Sequence, residues 1–166
     1  MEGTGTAARI PDGDEAAFEA AGHAFEIVRE AAGWPAAAAV ADAVRPVLEA
    51  AAERIGAGTG ETVSVGLSSD GRVRALNAAW RGRAASTNVL SFPAADPNIT
   101  GETRHLGDIV LAAGTVASEA AEEGKALADH LVHLVLHGYL HLRGYDHEDE
   151  AGAEEMERIE RDCLAV

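Results

Sequence analysis

Three histidines near the C-terminus, His137, His141 and His147, have the residue type and spacing of a divalent-metal site. Residues four apart on an α-helix project from one face about 6 Å apart along the axis, so His137 and His141 can share one ion. A helix that continued to His147 would carry that side chain away from the pair. Gly144 can adopt the left-handed conformation that ends a helix and turns the chain back. The spacing therefore predicts a metal centre at a helix end followed by a glycine turn.

The ligand types predict the chemistry of this centre. Three neutral nitrogens favour zinc and leave a fourth tetrahedral position open, where zinc can lower the pKa of water to about 7. Metzincin proteases have the same ligand spacing in the pattern H-E-x-x-H-x-x-G-x-x-H, but Gly138 stands where those enzymes carry their glutamate general base. Peptide hydrolysis by that route is disfavoured, whereas another hydrolytic reaction is open. Imidazole also suits nickel, copper and iron, so the sequence leaves the metal's identity open.

Other residues near the predicted centre have less specific roles. His130 and His133 precede the pair on the same predicted helix, but a straight row of three imidazoles is too long for one ion. We therefore expect His133 to be packed or hydrogen-bonded, and His130 not to be a ligand. Asp146 could accept a hydrogen bond from a ligand imidazole or could cap the turn, and the sequence favours neither role. The single cysteine, Cys163, is expected to be a packing residue of the tail helix.

The elements that position these residues follow alternating strand and helix patterns. We expect strands near residues 24–28, 62–67, 88–92 and 107–111 and helices near 36–56, 115–123, 126–142 and 150–163, with a further helix that is capped within 68–70 and ends near Arg81. This order predicts an α+β fold, an α/β sandwich with a mixed sheet of about four strands packed with helices. Residues 1–22 contain few large apolar side chains, which predicts a disordered acidic extension before a single domain over residues 23–166.

The charge distribution bears on possible partners. A net charge of −15 would oppose a polyanionic partner if it were evenly spread, but most of the acidic excess lies at the two ends of the chain. Between the ends, Arg72, Arg74, Arg81 and Arg83 fall within twelve residues. They form either a local basic surface or an ordinary solvated helix face. No apolar run is long enough for a membrane span, no secretion signal is recognisable and one cysteine cannot form an internal disulfide, so we expect a cytoplasmic protein.

Five motifs occur in a fixed order along the chain. They are Leu76-Asn77 with Trp80-Arg81-Gly82, the segment T-N-V-L-S-F-P from Thr87 to Pro93, Leu106-Gly107-Asp108-Ile109, Glu119-Ala120 with Gly124-Lys125, and His137-Gly138 through His147. Together they resemble the YbeY family of metal-dependent endoribonucleases over roughly residues 24–163. The element H-G-x-L-H-L-x-G-Y-D-H is the most specific part of the resemblance. Arg143 departs from it, because an apolar residue is expected before Gly144, and for residues 1–22 no counterpart in the family is recognisable.

The resemblance implies a zinc-bound α/β fold and cleavage of single-stranded RNA. It also implies a role in maturation of small-subunit (16S) ribosomal RNA and in ribosome quality control, with small-subunit proteins nearby. The family's metal ligands fall on His137, His141 and His147, and its functionally important arginine falls on Arg81. A guanidinium can bind two phosphate oxygens and stabilise the charge that builds during cleavage. Without the family context, a helix-end arginine that complements the helix dipole would be the simpler interpretation of Arg81.

Three further arginines, Arg72, Arg74 and Arg83, are expected to contact the same RNA. The main alternative from another functional class is a non-catalytic ribosome-assembly factor with a structural metal. Structural zinc sites usually have four protein ligands, whereas the sequence offers three, which favours catalysis. A metalloprotease is a second alternative, and the glycine at position 138 disfavours it.

Overall fold

The computed structural model describes residues 14–82, 87–94 and 104–165. Within these residues, the strands are β1 (Glu15–Ala20), β2 (His23–Arg29), β3 (Glu61–Ser68), β4 (Val89–Pro93) and β5 (Arg104–Ala112). The helices are α1 (Ala37–Arg54), α2 (Asp70–Arg81), α3 (Ala113–Glu123), α4 (Leu127–Leu142) and α5 (Glu150–Leu164). The predicted α+β class is confirmed, with five strands in place of about four. None of the described helices is long and apolar enough to cross a membrane.

The strands form one mixed sheet in the order β1-β2-β3-β5-β4. Strands β2, β3 and β5 run parallel, and the edge strands β1 and β4 pair antiparallel with their neighbours. Helices α1, α4 and α5 enclose the main core with one face of the sheet. On the other face, Val73 of α2 packs with Leu90 and Phe92 of β4. Strand β4 therefore lies between α2 and α4, the two helices that carry the predicted arginine and the first two predicted ligands.

Because of strand β1, the folded region begins earlier in the chain than the sequence analysis predicts. The prediction of disorder over residues 1–22 is wrong for Glu15–Ala20, which pairs antiparallel with β2. Phe18 is buried and its ring stacks on that of Phe25 with 5.1 Å between centroids. An edge strand needs only a few inward-facing residues, and here these are mostly small, so the apolar pattern was too weak to identify. Residues 1–13 of the predicted extension lie outside the described residues.

A buried carboxylate joins the sheet to the end of α4. Glu61, at the start of β3, is 6% exposed and accepts hydrogen bonds from Arg104 and Arg143. Burial acts to raise the pKa of Glu61, but the hydrogen bonds and charges of Arg143 and Arg104 outweigh it and hold that pKa below its usual value. His23 Nδ1 lies 3.5 Å from Glu61 Oε1, and burial lowers the pKa of His23. Arg143, which stands where the family resemblance leads us to expect an apolar residue, thus connects the end of α4 to Glu61.

Replacing Glu61 by glutamine is expected to lower the free energy of unfolding by about 2–4 kcal/mol at neutral pH, because Arg143 loses its charged partner in a largely buried position. The pKa of Glu61 is lower in the folded state than the ordinary value of 4.5. Its contribution to stability is therefore complete above that value and is lost as the pH falls through the lower, folded-state pKa. The difference between wild type and Glu61→Gln should shrink in the same acidic range.

Urea unfolding of both proteins at neutral pH and below pH 4.5 measures this difference. Glu26→Gln is a matched control, because Glu26 is an exposed glutamate of the neighbouring strand β2, and its effect should stay within about 0.5 kcal/mol. Equal stability of Glu61→Gln and wild type at neutral pH would contradict the assigned role.

Candidate metal centre

The C-terminus of α4 turns the chain back on itself. The N–H of Gly144 donates to the carbonyl of His141 and the N–H of Tyr145 to that of Leu140, each at 3.0 Å. Gly144 has a φ of 96°, in the left-handed region that glycine adopts without strain. These two hydrogen bonds form a Schellman motif, which satisfies carbonyls of the last turn. The predicted glycine turn is therefore present, and it directs the following loop toward the exposed side of α4.

The loop after the turn is fixed by its own hydrogen bonds. Asp146 Oδ1 accepts from the N–H of Glu148 at 3.2 Å, and Asp149 caps α5 by accepting from the N–H of Gly152 at 2.6 Å. Of the two roles open to Asp146, the structure shows the turn role. His147 is held between these two local motifs, which limits the movement of its backbone.

The three predicted ligands converge on one point. His137 Nε2 lies 3.0 Å from His141 Nε2, and one ligand nitrogen of each histidine, including His147, lies within 4.8 Å of the others. Zn–N bonds of about 2.0–2.1 Å place neighbouring tetrahedral nitrogens about 3.3 Å apart. The cluster therefore fits one ion after modest rotation of the side chains. Burial lowers the pKa of His141, and nearby His137 and His147 lower it further, which favours the neutral imidazole that binds a metal.

A carboxylate from the tail helix sets the orientation of the first ligand. Glu160 of α5 is 8% exposed, with Oε2 2.6 Å from His137 Nδ1 and Oε1 3.0 Å from His133 Nε2. Burial acts to raise the pKa of Glu160, but the hydrogen bonds from the two histidines outweigh it and lower that pKa to about 2. An ionised carboxylate has no proton to give, so Nδ1 of His137 carries the proton. The lone pair of its Nε2 is then free for a metal.

The sequence reasoning missed Glu160. Helix α5 is strongly acidic, yet Met156, Ile159 and Cys163 of this helix are buried. Glu160 follows Met156 by four residues and precedes Cys163 by three, so it lies on the same apolar stripe. A glutamate at such a position, in a chain that predicts a histidine metal site, could have indicated the acceptor that ligand imidazoles require. Burial of Cys163 confirms its predicted packing role.

The two extra histidines of α4 bind carboxylates and lie outside the cluster of three. His130 is 4% exposed, and its Nε2 lies 2.9 Å from Glu119 Oε1. Asn88 Nδ2 donates to the same carboxylate at 3.0 Å. His133 binds Glu160 as described above. The expectation that His133 is hydrogen-bonded is confirmed. Among the described residues, neither His130 nor His133 belongs to the metal cluster.

Gly138 lies where α4 approaches the sheet most closely. A Cβ at this position would lie 2.8 Å from Ile109 Cγ2 and 3.1 Å from Ser91 Oγ, closer than side-chain carbons pack. Ser91 Oγ donates to the carbonyl of Gly138 at 3.0 Å. The position therefore has no room for a glutamate side chain, and the site contains no general base of the metzincin kind at position 138.

A cleft of about 1350 Å³ extends from the three histidines. Residues of the upstream motifs line it with the histidines, among them Arg81, Thr87, Asn88, Ser91, Glu119 and Lys125. Residues of motifs that are far apart in the sequence thus line one surface.

Arg81 reaches the cleft from the other face of the sheet. It is the last residue of α2, and Gly82 ends the helix with a φ of 69°. Arg81 Nη2 donates to the carbonyl of Ser91 at 2.9 Å, and its guanidinium carbon lies 5.8 Å from the centre of the Phe92 ring. One edge of the guanidinium is anchored to strand β4, and the side chain lines the cleft, where a guanidinium can donate further N–H groups to an anion.

The other predicted arginines have different positions. Arg72 is exposed on α2, with Nε 3.5 Å from Glu30 Oε1. Arg74 is exposed on the same helix. Among the described residues that line the cleft, the cationic ones beside the histidines are Arg81 and Lys125. Arg83 lies outside the described residues. A contact of Arg72, Arg74 or Arg83 with a substrate therefore stays a prediction.

Glu160→Gln is expected to weaken zinc binding about 10- to 100-fold, because a neutral amide orients His137 less strongly than a carboxylate does. Competition with a chromophoric chelator measures the affinity. Glu154→Gln is the matched control, since Glu154 is an exposed glutamate on the same helix and should leave the affinity unchanged. Wild-type affinity in Glu160→Gln would show that this carboxylate does not support the ligand.

Three comparisons with known proteins relate the chain to one family. A family model described as "Endoribonuclease YbeY" matches residues 30–166. The Endoribonuclease YbeY of Rhodopseudomonas palustris (strain ATCC BAA-98 / CGA009) is 47% identical over 159 residues, covering 93% of this chain and 84% of the relative. That of Chelativorans sp. (strain BNC1) is 49% identical over 132 residues, covering 79% of this chain and 81% of the relative. A solution structure of a Thermotoga maritima protein has a TM-score of 0.57 at 26% identity, with 84% and 86% of the two chains covered.

Proposed function

The chain belongs to the YbeY family of endoribonucleases, and from this premise we propose that it is a zinc-dependent endoribonuclease that cleaves single-stranded RNA. The observation that carries the proposal is that three convergent imidazoles and the guanidinium of Arg81 line one cleft. A divalent ion held by His137, His141 and His147 would supply Lewis acidity toward a phosphodiester. Further N–H groups of Arg81 would bind the phosphate oxygens and stabilise their growing negative charge.

The donor set supports zinc and a catalytic role. All three convergent donors are imidazole nitrogens, a ligand type that suits zinc. Glu160, a buried carboxylate near the cluster, uses both oxygens on His133 and His137. With three protein ligands among the described residues, a coordination position is left for a substrate or water, whereas a structural zinc site is closed by four. This count favours an enzyme over a ribosome-assembly factor that uses its metal only for stability.

Cleavage assays on the purified protein test the proposal. The cleavage rates of a single-stranded RNA and of its duplex are measured with chelator-treated protein, before and after addition of zinc, manganese or nickel. We expect cleavage of the single strand that disappears with chelator and returns with metal. Cleavage that persists unchanged in chelator would refute the metal-dependent mechanism. Stoichiometric zinc binding without any cleavage would favour the assembly-factor alternative.

The products distinguish two routes of attack. Direct attack of water on phosphorus leaves no cyclic product, whereas attack by the ribose 2′-hydroxyl yields a 2′,3′-cyclic phosphate. Detection of the cyclic phosphate would exclude direct hydrolysis. The absence of room for a carboxylate at Gly138 supports RNA over a peptide as the substrate, and metal-dependent turnover of casein would contradict that part of the proposal.

The ribosomal part of the proposal rests on the family. We assign the protein to maturation of 16S ribosomal RNA and ribosome quality control in the cytoplasm, in contact with small-subunit proteins. Incubation with a precursor of this RNA, alone and within assembled small subunits, tests the assignment. Cleavage near a mature end is expected, and cleavage at random single-stranded positions in both substrates would oppose it.

A further inference from the structure

One large aromatic side chain is exposed next to a residue that lines the cleft. Among the described residues, the exposed large hydrophobic ones are Trp80, at 73%, and Leu164, at 36%. The other tryptophan, Trp34, is 6% exposed and donates its indole N–H to the carbonyl of Ser68 at 2.9 Å. Trp80 is the residue directly before Arg81, so the most exposed aromatic group adjoins the cation that lines the cleft.

The Trp80 ring is held in place by its neighbours. Its centre lies 6.3 Å from that of Phe92, with an edge-to-face angle of 62°. Phe92 in turn packs against the small cluster that includes Leu76 and Val110, and the guanidinium of Arg81 lies over the Phe92 ring. We call Trp80, Arg81 and Phe92 the aromatic ledge. Because its base is packed, the ledge offers an exposed ring at a low cost in conformational entropy.

A short chain of contacts fixes the ledge relative to the metal ligands. Arg81 Nη2 donates to the carbonyl of Ser91, and Ser91 Oγ donates to the carbonyl of Gly138. Gly138 lies next to His137 on α4. Two hydrogen bonds therefore connect the ledge to the helix that carries two of the three ligands, so a group bound at the ledge would have a defined position relative to the metal.

We propose that the aromatic ledge binds a base of single-stranded RNA by stacking on Trp80, adjacent to the phosphodiester that Arg81 holds at the metal centre. The inference rests on the proposed function and extends it to substrate recognition. Single-stranded RNA exposes unstacked bases, and proteins bind them by combining aromatic stacking with cationic contacts to the backbone. Duplex RNA keeps its bases stacked on each other, so the ledge would also select for single strands.

The surroundings of Trp80 favour RNA over a protein partner. Beside it on α2, Ala78 and Ala79 are exposed but small, and its larger apolar neighbours Leu76 and Phe92 are partly buried against the small cluster. Within the described part of the chain, Trp80 therefore does not belong to a large apolar patch of the kind that protein interfaces bury. Helix α2 carries Arg72, Arg74 and Arg81 against the single acid Asp70, in a chain whose net charge is −15. This positive helix is suited to a polyanion.

The test measures binding of a 2′-O-methylated single-stranded oligonucleotide, which resists 2′-hydroxyl attack, to full-length protein. Trp80→Ala is expected to weaken binding about 5- to 100-fold, the loss typical of one stacked base. Trp80→Phe should retain most of the affinity. RNA should quench the tryptophan fluorescence of wild type, and this quenching should be lost in Trp80→Phe, where only buried Trp34 remains. Leu164→Ala, the matched exposed control, should behave as wild type.

The outcomes separate the inference from the proposed function. Cleavage by wild type with equal RNA affinity in Trp80→Ala would overturn the inference alone. Trp80-dependent binding without cleavage would support the ledge while refuting the nuclease. In cleavage assays of the variant, the loss should appear in KM more than in kcat, whereas general misfolding would lower the active fraction and kcat.

Discussion

Alanine in place of His141 is expected to lower metal-dependent RNA cleavage at least about 1000-fold, because a metal ion supplies several kcal/mol of charge stabilisation in such reactions. His141 Nε2 lies 3.0 Å from His137 Nε2, so its loss removes one of three convergent donors. The two remaining imidazoles cannot hold the ion in the same geometry. Single-turnover cleavage of a single-stranded RNA and zinc affinity should therefore both fall, the affinity by two orders of magnitude or more.

His105→Ala is the matched control for this variant. His105 Nδ1 lies 2.8 Å from Thr62 Oγ1 on the sheet, and His105 is not among the described residues that line the cleft. Its replacement should leave cleavage and zinc binding near wild type. Thermal unfolding of the chelator-treated proteins should show that His141→Ala is folded. Equal cleavage by His141→Ala and wild type would attribute the activity to a contaminating nuclease and contradict the metal centre.

The local part of this site could be predicted from the sequence. Two short-range features carry this prediction: the i, i+4 spacing of His137 and His141, and the glycine three residues later. Helix geometry and the left-handed conformation of glycine are enough to predict from them where the ligand side chains lie. The observed φ of Gly144 and the clustered nitrogens agree with that prediction. Gly138 was correctly identified as incompatible with a protease base, although its packing against Ile109 was visible only in the structure.

The long-range part could not be predicted in the same way. Glu160 is 23 residues from His137, and Glu61 is 82 residues from Arg143. Their pairing depends on how α5 crosses α4 and on where β3 starts, which no local pattern encodes. The position of β5 between β3 and β4 is likewise a property of the crossover connections. A buried carboxylate in an otherwise acidic helix gives only a weak signal, since most charged residues are solvated.

Arg81 is a third case: its candidate role comes from the resemblance, and the structure shows where its side chain lies. Sequence alone allowed a helix-end arginine that complements the dipole. The structure places its guanidinium against Ser91 and Phe92 at the edge of the sheet, where β4 has no further strand beside it among the described residues. The side chain reaches the cleft around this edge, so its orientation depends on β4 as well as on α2.

Arg81→Ala is expected to lower kcat/KM for RNA cleavage about 100- to 1000-fold, the usual loss when one preorganised donor to a developing oxyanion is removed. Arg81→Lys should recover only part of this activity. The ammonium group of lysine is a point charge. Unlike a guanidinium, it cannot donate to the carbonyl of Ser91 and at the same time form a bidentate hydrogen bond with phosphate. The separation of kcat from KM is informative, because a donor used mainly in the transition state affects kcat, whereas a simple backbone contact affects KM.

The salt dependence of RNA binding separates the roles of the arginines of α2. Arg72→Ala and Arg74→Ala should reduce the slope of log affinity against log salt by about 0.7 for each phosphate that the variant no longer neutralises, and leave kcat near wild type. Arg45→Ala on α1 is the control, because Arg45 is exposed and lies over the ring of Phe18, away from the cleft-lining residues. If Arg81→Ala changed only the salt slope and KM, Arg81 would be a backbone contact, and stabilisation of the transition state would have to come from the metal centre alone.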